Sequence, residues 1–121
     1  MKGDDIANRL LEFSAQILLV AGELPSNTAG KHLARQLTRA GTSGGANYEE
    51  ARGAESRADF AHTVLVAAKE VGESVYWLRL AERAALARGE RLAGAIREGT
   101  QLAAILRASA RTARSRADSA T

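Results

Sequence analysis

The sequence predicts an all-α protein, an up-and-down antiparallel four-helix bundle. Apolar residues recur with helical periodicity in four segments of similar length. Alanine, the best helix former, occupies 26 of the 121 positions, and the chain has one proline and few aromatic residues. The turns between the segments are short, so consecutive helices are expected to pack as antiparallel neighbours.

The first helix is predicted from Asp4 to Leu24, with more apolar surface than a bundle core requires. Its core face consists of residues spaced alternately by four and three: Ile6, Leu10, Phe13, Ile17, Val20 and Leu24. Leu11 and Leu18 belong to a second apolar strip beside this face. The apolar arc is therefore wider than one core-facing stripe, and we expect the second strip to contact another subunit.

The second helix is predicted from Thr28 to Gly53, and glycines interrupt it. Each of Gly41, Gly44 and Gly45 would cost up to ~1 kcal/mol relative to alanine in a helix interior. A close backbone approach or a bend is therefore expected there. Gly44 and Asn47 are placed on the core stripe. The Asn47 amide is interpreted as a hydrogen-bonded polar group that sets the helix register.

The third helix is expected to begin at Ser56, which with Asp59 resembles a capping box. Phe60 starts its core stripe. An acidic and aromatic strip lies beside that stripe and consists of Glu70, Glu73 and Trp77. This strip is interpreted as a recognition surface or as a site of pairing, between subunits or between helices, with Arg35, Arg39 or Arg79. We favour the second interpretation and place the strip among the candidate oligomer contacts.

The fourth helix is predicted from Glu90 to Arg114, after a turn at Gly89. Residues 4–114 then form a single domain, and residues 115–121 are predicted to be a disordered basic tail. The chain has no cysteine, so disulfides and cysteine-based metal sites are excluded. Its N-terminus does not resemble a signal peptide, and no apolar run is long enough to cross a bilayer. A cytoplasmic location without membrane contact is expected.

Basic residues form two rows. Lys31, Arg35 and Arg39 follow one another at i, i+4 and i+8 in the second helix. An arginine-rich end contains Arg107, Arg111 and Arg114. The α2 row is either an ordinary solvated face or a stripe that follows a phosphate backbone. Because few aromatic residues are free to stack on bases, any nucleic-acid binding is expected to be electrostatic and tolerant of sequence.

Catalytic and metal-binding patterns do not match the sequence. A di-metal carboxylate bundle needs a Glu-x-x-His motif from each of two helices. Neither His32 nor His62 has a glutamate three residues before it. The glycine-rich stretch around Gly44 lacks the Lys-Ser/Thr ending of a phosphate loop and follows no strand. We therefore expect a protein that is not an enzyme and binds no metal and no cofactor.

Three segments resemble a known family. They are Leu24-Pro25, the run QLTRAGTSGGANYEEARGAESRADF from Gln36 to Phe60, and KEVGESVYWLRL from Lys69 to Leu80. These segments are similar to the four-helix-bundle proteins encoded by intervening sequences in bacterial 23S ribosomal RNA genes, once called S23 proteins. The chain departs from the family pattern at Gly44-Gly45, where bulkier residues are frequent, and at Thr63, where lysine is frequent.

The resemblance implies an up-and-down bundle that assembles as a ring-like homopentamer, without known catalysis. The family is also similar to accessory variability proteins of diversity-generating retroelements, which bind nucleic acid and a reverse transcriptase. Two functional hypotheses follow. The first is a homo-oligomer that binds nucleic acid, structured RNA or else DNA, through its basic surface. The second is a protein-interaction scaffold whose partner is a reverse transcriptase. A product of a selfish element with no strong ligand is the third alternative.

Overall fold

Four helices make up the computed structural model, which describes residues 2–119. They are α1 (Lys2–Glu23), α2 (Thr28–Arg52), α3 (Arg57–Arg83) and α4 (Glu90–Ser119). Within the described residues there is no β-strand. The predicted all-helical fold and its four elements are confirmed.

Each helix packs against the two helices next to it in the order α1, α2, α3, α4 and back to α1. Neighbours run antiparallel: Gly41 faces Ile17, whereas Gly45, further along α2, faces Leu10, earlier in α1. The diagonal pairs, α1 with α3 and α2 with α4, are separated by the core. Leu and Val side chains from all four helices fill that core together with Phe13.

Local sequence signals explain where the helices begin and end. The Asn27 side chain accepts a hydrogen bond of 2.8 Å from the backbone N–H of Gly30 and so caps α2. Ser56 caps α3 by accepting from the N–H of Asp59 at 3.0 Å. At the end of α3, Ala85 has a φ of 58°, and the N–H of Leu86 bonds to the carbonyl of Ala81. This is the geometry of a Schellman-type helix end, where glycine is more usual.

The fourth helix is longer than the sequence suggested. It continues to Ser119, through the segment 115–119 that was expected to be a disordered tail. Arginine and alanine are strong helix formers, and no glycine or proline ends the helix before Ser119. Residues 120 and 121 of the expected tail lie outside the described residues.

The core stripe of α2 differs by one position from the expected one. Gly44 is buried as expected, but the next buried residue is Tyr48, which is 4% exposed, and Asn47 is half-buried. The Asn47 amide donates to the carbonyl of Ser43 at 2.8 Å, so its hydrogen bond stays within the helix. Phe60 is also half-buried and packs against the core from its edge.

Gly41 and Gly44 bring α2 close to both its neighbours. A Cβ atom at Gly41 would overlap the Ile17 side chain of α1, and one at Gly44 would lie 2.6 Å from Cγ2 of Val71 in α3. Both neighbours are fully buried, β-branched residues with restricted rotamers. A Cβ at Gly45 would instead lie 3.5 Å from Cβ of Leu10, an ordinary contact.

We predict opposite effects for alanine at the two adjacent glycines. Gly44→Ala should lower the free energy of unfolding by about 1–3 kcal/mol, because Val71 must move in a packed core. Gly45→Ala should be neutral or raise it by up to about 1 kcal/mol, because alanine is the better helix former. Urea unfolding of both variants at one protein concentration measures the difference. Equal midpoints would contradict the close contact at Gly44.

Candidate nucleic-acid interface

The basic row on α2 is partly neutralised by α3. Lys31, Arg35 and Arg39 are all exposed. The Arg39 guanidinium, however, forms ion pairs with Glu70, at 3.4 Å, and with Glu73. Lys31 and Arg35 form no ion pair with residues 2–119. The row predicted from the sequence therefore contains two unpaired cations rather than three.

The acidic and aromatic strip is tied into the same contact. Trp77 Nε1 donates a hydrogen bond of 3.0 Å to Glu73, the carboxylate that also pairs with Arg39. The ring of His32, on α2, meets the Trp77 ring edge-on with centroids 5.8 Å apart. Of the pairings left open by the sequence, the structure contains the one between helices, with Arg39. A role of these residues in subunit contacts stays a prediction.

The arginine row on α4 differs from the α2 row because none of its members is neutralised by a carboxylate of the described residues. Arg107, Arg111 and Arg114 lie at i, i+4 and i+7, which places them on one face. All three are exposed, and none forms an ion pair with a carboxylate of the described residues. No acidic residue occurs in α4 between Glu98 and Asp118. The charge of this row is therefore available to a ligand.

The α4 row extends onto α3. A Cβ atom at Gly72 would lie 3.3 Å from Nη2 of Arg107, so the guanidinium reaches across to α3. Lys69, one turn before Gly72, is exposed and has no ion pair within the described chain. Sequence reasoning missed Lys69 because only the packing of α3 against α4 brings it beside Arg107. A usable signal was the absence of acidic residues between Asp59 and Glu70.

The α2 row and the α4 row do not form one surface. They lie on helices that occupy opposite corners of the bundle. Arg39 is level with Glu70 and Glu73 on α3, and Lys31 lies further towards the C-terminal end of that helix. The α4 row runs from Gly72 towards the start of α3. The two sets of cations would thus face different parts of a bound polymer.

Four arginines outside these two rows form ion pairs with carboxylates. Arg9 donates to both oxygens of Glu98, at 2.9 and 2.7 Å, and this joins α1 to α4. Arg52 pairs with Asp4 and with Glu49. Arg91 pairs with Glu23, and Arg97 with Glu90. Arg9, Arg52 and Arg91 thereby join α1 to its neighbours, whereas the Arg97 pair lies within α4. Their ion pairs distinguish all four from the α4 row.

The second apolar strip of α1 lies open, as its sequence suggested. Leu11 is 70% exposed and Leu18 is 47% exposed. Both line a groove of about 930 Å³ between the outer faces of α1 and α2. Contiguous exposed apolar surface is a candidate contact surface for another protein.

Within residues 2–119, no group of three or more His, Asp or Glu side chains is close enough to hold a metal ion. None of the helices in this range combines the length and the apolar character needed to span a bilayer.

The model of the 23S rRNA-intervening sequence protein family matches residues 4–108. The chain belongs to this family. A crystal structure of a protein of unknown function from the S23 ribosomal protein family of Bacteroides thetaiotaomicron is similar to this intervening-sequence protein, with 32% sequence identity and a TM-score of 0.82. The match covers 92% of this chain and 99% of that one. Among curated proteins, none matches the chain.

We predict an acid-sensitive contribution from the pair between Arg9 and Glu98. Hydrogen bonds from Arg9 lower the pKa of the Glu98 carboxyl below its ordinary value of about 4.3. A lowered folded-state pKa stabilises the protein above the ordinary pKa, and this stabilisation is lost as the pH falls through the folded-state value. Because the pair is partly exposed, Glu98→Gln should cost less than about 1 kcal/mol at pH 7.

The measurement is urea unfolding of the wild type and Glu98→Gln between neutral pH and about pH 3, at one protein concentration. The difference in unfolding free energy should disappear at the acidic end. Glu82→Gln is the matched control, because its carboxylate has no ion pair within residues 2–119. A difference for Glu98→Gln that does not change with pH would rule out the pKa explanation.

Proposed function

We propose that this member of the 23S rRNA-intervening sequence protein family is a non-enzymatic, homo-oligomeric protein of the cytoplasm that binds nucleic acid, with RNA as the favoured ligand. Binding occurs through the arginine row of α4 rather than through the row of α2. The observation that carries the proposal is the set of exposed guanidinium groups at Arg107, Arg111 and Arg114, which form no ion pair within residues 2–119.

The chemistry of this row suits a phosphate backbone. A guanidinium group presents a planar fork of N–H donors that matches phosphate oxygens. Arg107 spreads over α3 at Gly72, where Lys69 adds a further cation. Contacts of this kind position a nucleic acid without reading its bases. The ligand is therefore recognised by its charge and shape.

Self-association strengthens this binding. One chain has a net charge of +3, which attracts a polyanion weakly, whereas five chains would carry +15. The number five rests on the family resemblance, and the exposed Leu11 and Leu18 support self-association. Because salt screens charges beyond about 10 Å at 0.1 M, the local row matters more than the total charge.

RNA is favoured over DNA by the description of the family, which refers to 23S rRNA. That description concerns an intervening sequence and does not state what the protein binds, so both polymers belong in the experiment. The rival hypothesis, a scaffold for a protein such as a reverse transcriptase, is favoured by the apolar groove between α1 and α2.

We predict that Arg111→Gln with Arg114→Gln weakens RNA binding and its salt dependence together. A plot of log affinity against log salt concentration has a negative slope, and loss of two phosphate contacts should reduce its magnitude by about 1.4–1.8. Arg97→Gln is the matched control on the same helix, because Arg97 already pairs with Glu90. Filter binding of a mixed RNA pool between 50 and 200 mM salt, repeated with DNA, gives both quantities.

A second double variant, Lys31→Gln with Arg35→Gln, tests the α2 row in the same assay. We expect it to change the slope less than the α4 variant does. No retention of RNA or DNA by the wild type at 50 mM salt would contradict nucleic-acid binding and favour the protein scaffold. Equal losses for the Arg97 control and the α4 variant would contradict the assignment to the α4 row.

A further inference from the structure

Exposed apolar side chains are concentrated in two patches. Among the described residues, five large apolar side chains are exposed, and four of them lie in these patches: Leu11 and Leu18 on α1, and Tyr76 and Leu80 on α3. We call the first patch the α1–α2 groove, which is lined by residues from Asp4 to Leu18 and from Thr42 to Arg52. The second is the α3 ridge, formed by Tyr76 and Leu80 with their neighbours Arg79 and Arg83.

The α1–α2 groove combines a small-residue floor with an acidic rim. Ala15 and Gly45 leave room between the exposed leucines and the outer face of α2. The lining residues Asp4, Glu12 and Glu49 supply three carboxylates, against the single guanidinium of Arg52. The groove is therefore apolar in its centre and net negative at its edges.

The α3 ridge has the opposite charge. Tyr76 is 60% exposed, and Leu80, one turn later, is 37% exposed. Arg79 and Arg83 flank them and form no ion pair with residues 2–119, and the acidic residue beside them is Glu82. The α3 ridge is thus an exposed aromatic and aliphatic surface with a net positive border.

The two patches lie on opposite corners of the bundle and at the same height. The α1 and α3 helices form a diagonal pair. Phe13, two residues after Leu11, and Val75, next to Tyr76, both approach the position of a Cβ atom at Gly99, at 2.9 and 2.6 Å. Neighbouring copies joined through these patches would therefore be related by rotation with little shift along the helix axes.

We propose that the α3 ridge of one copy docks into the α1–α2 groove of the next. Two grooves face to face would oppose carboxylates, and two ridges would oppose guanidinium groups, whereas a ridge in a groove pairs opposite charges. Such a contact is heterologous, and it closes into a ring if the rotation from one copy to the next divides a full turn. This inference rests on the self-association in the proposed function and does not depend on nucleic-acid binding.

A mixing experiment distinguishes this arrangement from others. Leu11→Arg disables the groove and leaves the ridge intact, and Tyr76→Glu does the reverse. Both side chains are exposed in the single chain, so the helical content of the variants should stay near that of the wild type, and circular dichroism shows that they are folded. Each variant alone should be monomeric by light scattering. An equimolar mixture at high concentration should give a 1:1 heterodimer, twice the 12.8 kDa chain mass, and nothing larger.

A third variant on α1 serves as the control for the mixing experiment. Leu19→Arg, at a position on α1 that is 47% exposed and outside the groove, should keep the wild-type mass. A Tyr76→Glu variant that keeps the wild-type mass, or a mixture of folded variants that stays monomeric, would overturn the docking proposal. RNA retention by the wild type is read separately, so a wrong docking mode is distinguishable from an absence of nucleic-acid binding.

Discussion

The bundle depends on the close approach of α2 to both its neighbours. At Gly41 the helix backbone meets Ile17 of α1, and at Gly44 it meets Val71 of α3, without a side chain between them. Glycine in a helix interior costs about 1 kcal/mol in propensity relative to alanine. That cost is offset by the dispersion contacts of backbone packed directly against buried aliphatic groups. The glycines also fix the register in which α2 lies against α1 and α3.

A core built around such contacts contains many small side chains, and several large apolar side chains remain on the surface. Ala40, Ala51, Ala67 and Ala68 are fully or almost fully buried but remove little area from water. Large side chains such as Leu11 and Tyr76 are left outside. In the proposed oligomer, further copies of the chain would supply the burial that one chain lacks. Carboxylates surround the groove, and α3 and α4 expose arginines that form no ion pair within residues 2–119.

Periodicity within each segment was enough to predict the helices and the burial of Gly44, and the capping-box pattern of Ser56 and Asp59 predicted the cap of α3. Neither pattern predicted contacts that depend on how two helices are aligned. The position of Arg107 over Gly72 belongs to this class. Pairing of Glu70 and Glu73 was expected, but the sequence left Arg35, Arg39 and Arg79 open as the partner, and the packing of α2 against α3 selects Arg39. After Gly44, the next buried residue of a helical stripe can follow at a spacing of three (Asn47) or of four (Tyr48). The sequence analysis placed Asn47 in the core, whereas Tyr48 is the buried residue.

The central claim is that exposed apolar surface on α1 and α3 is covered by further copies of the chain. The molar mass of the wild-type protein in solution tests it most directly. Light scattering after size exclusion, over a dilution series in the micromolar range, should give a constant multiple of 12.8 kDa. Five copies would agree with the family resemblance. A mass of one chain throughout the series would contradict the account.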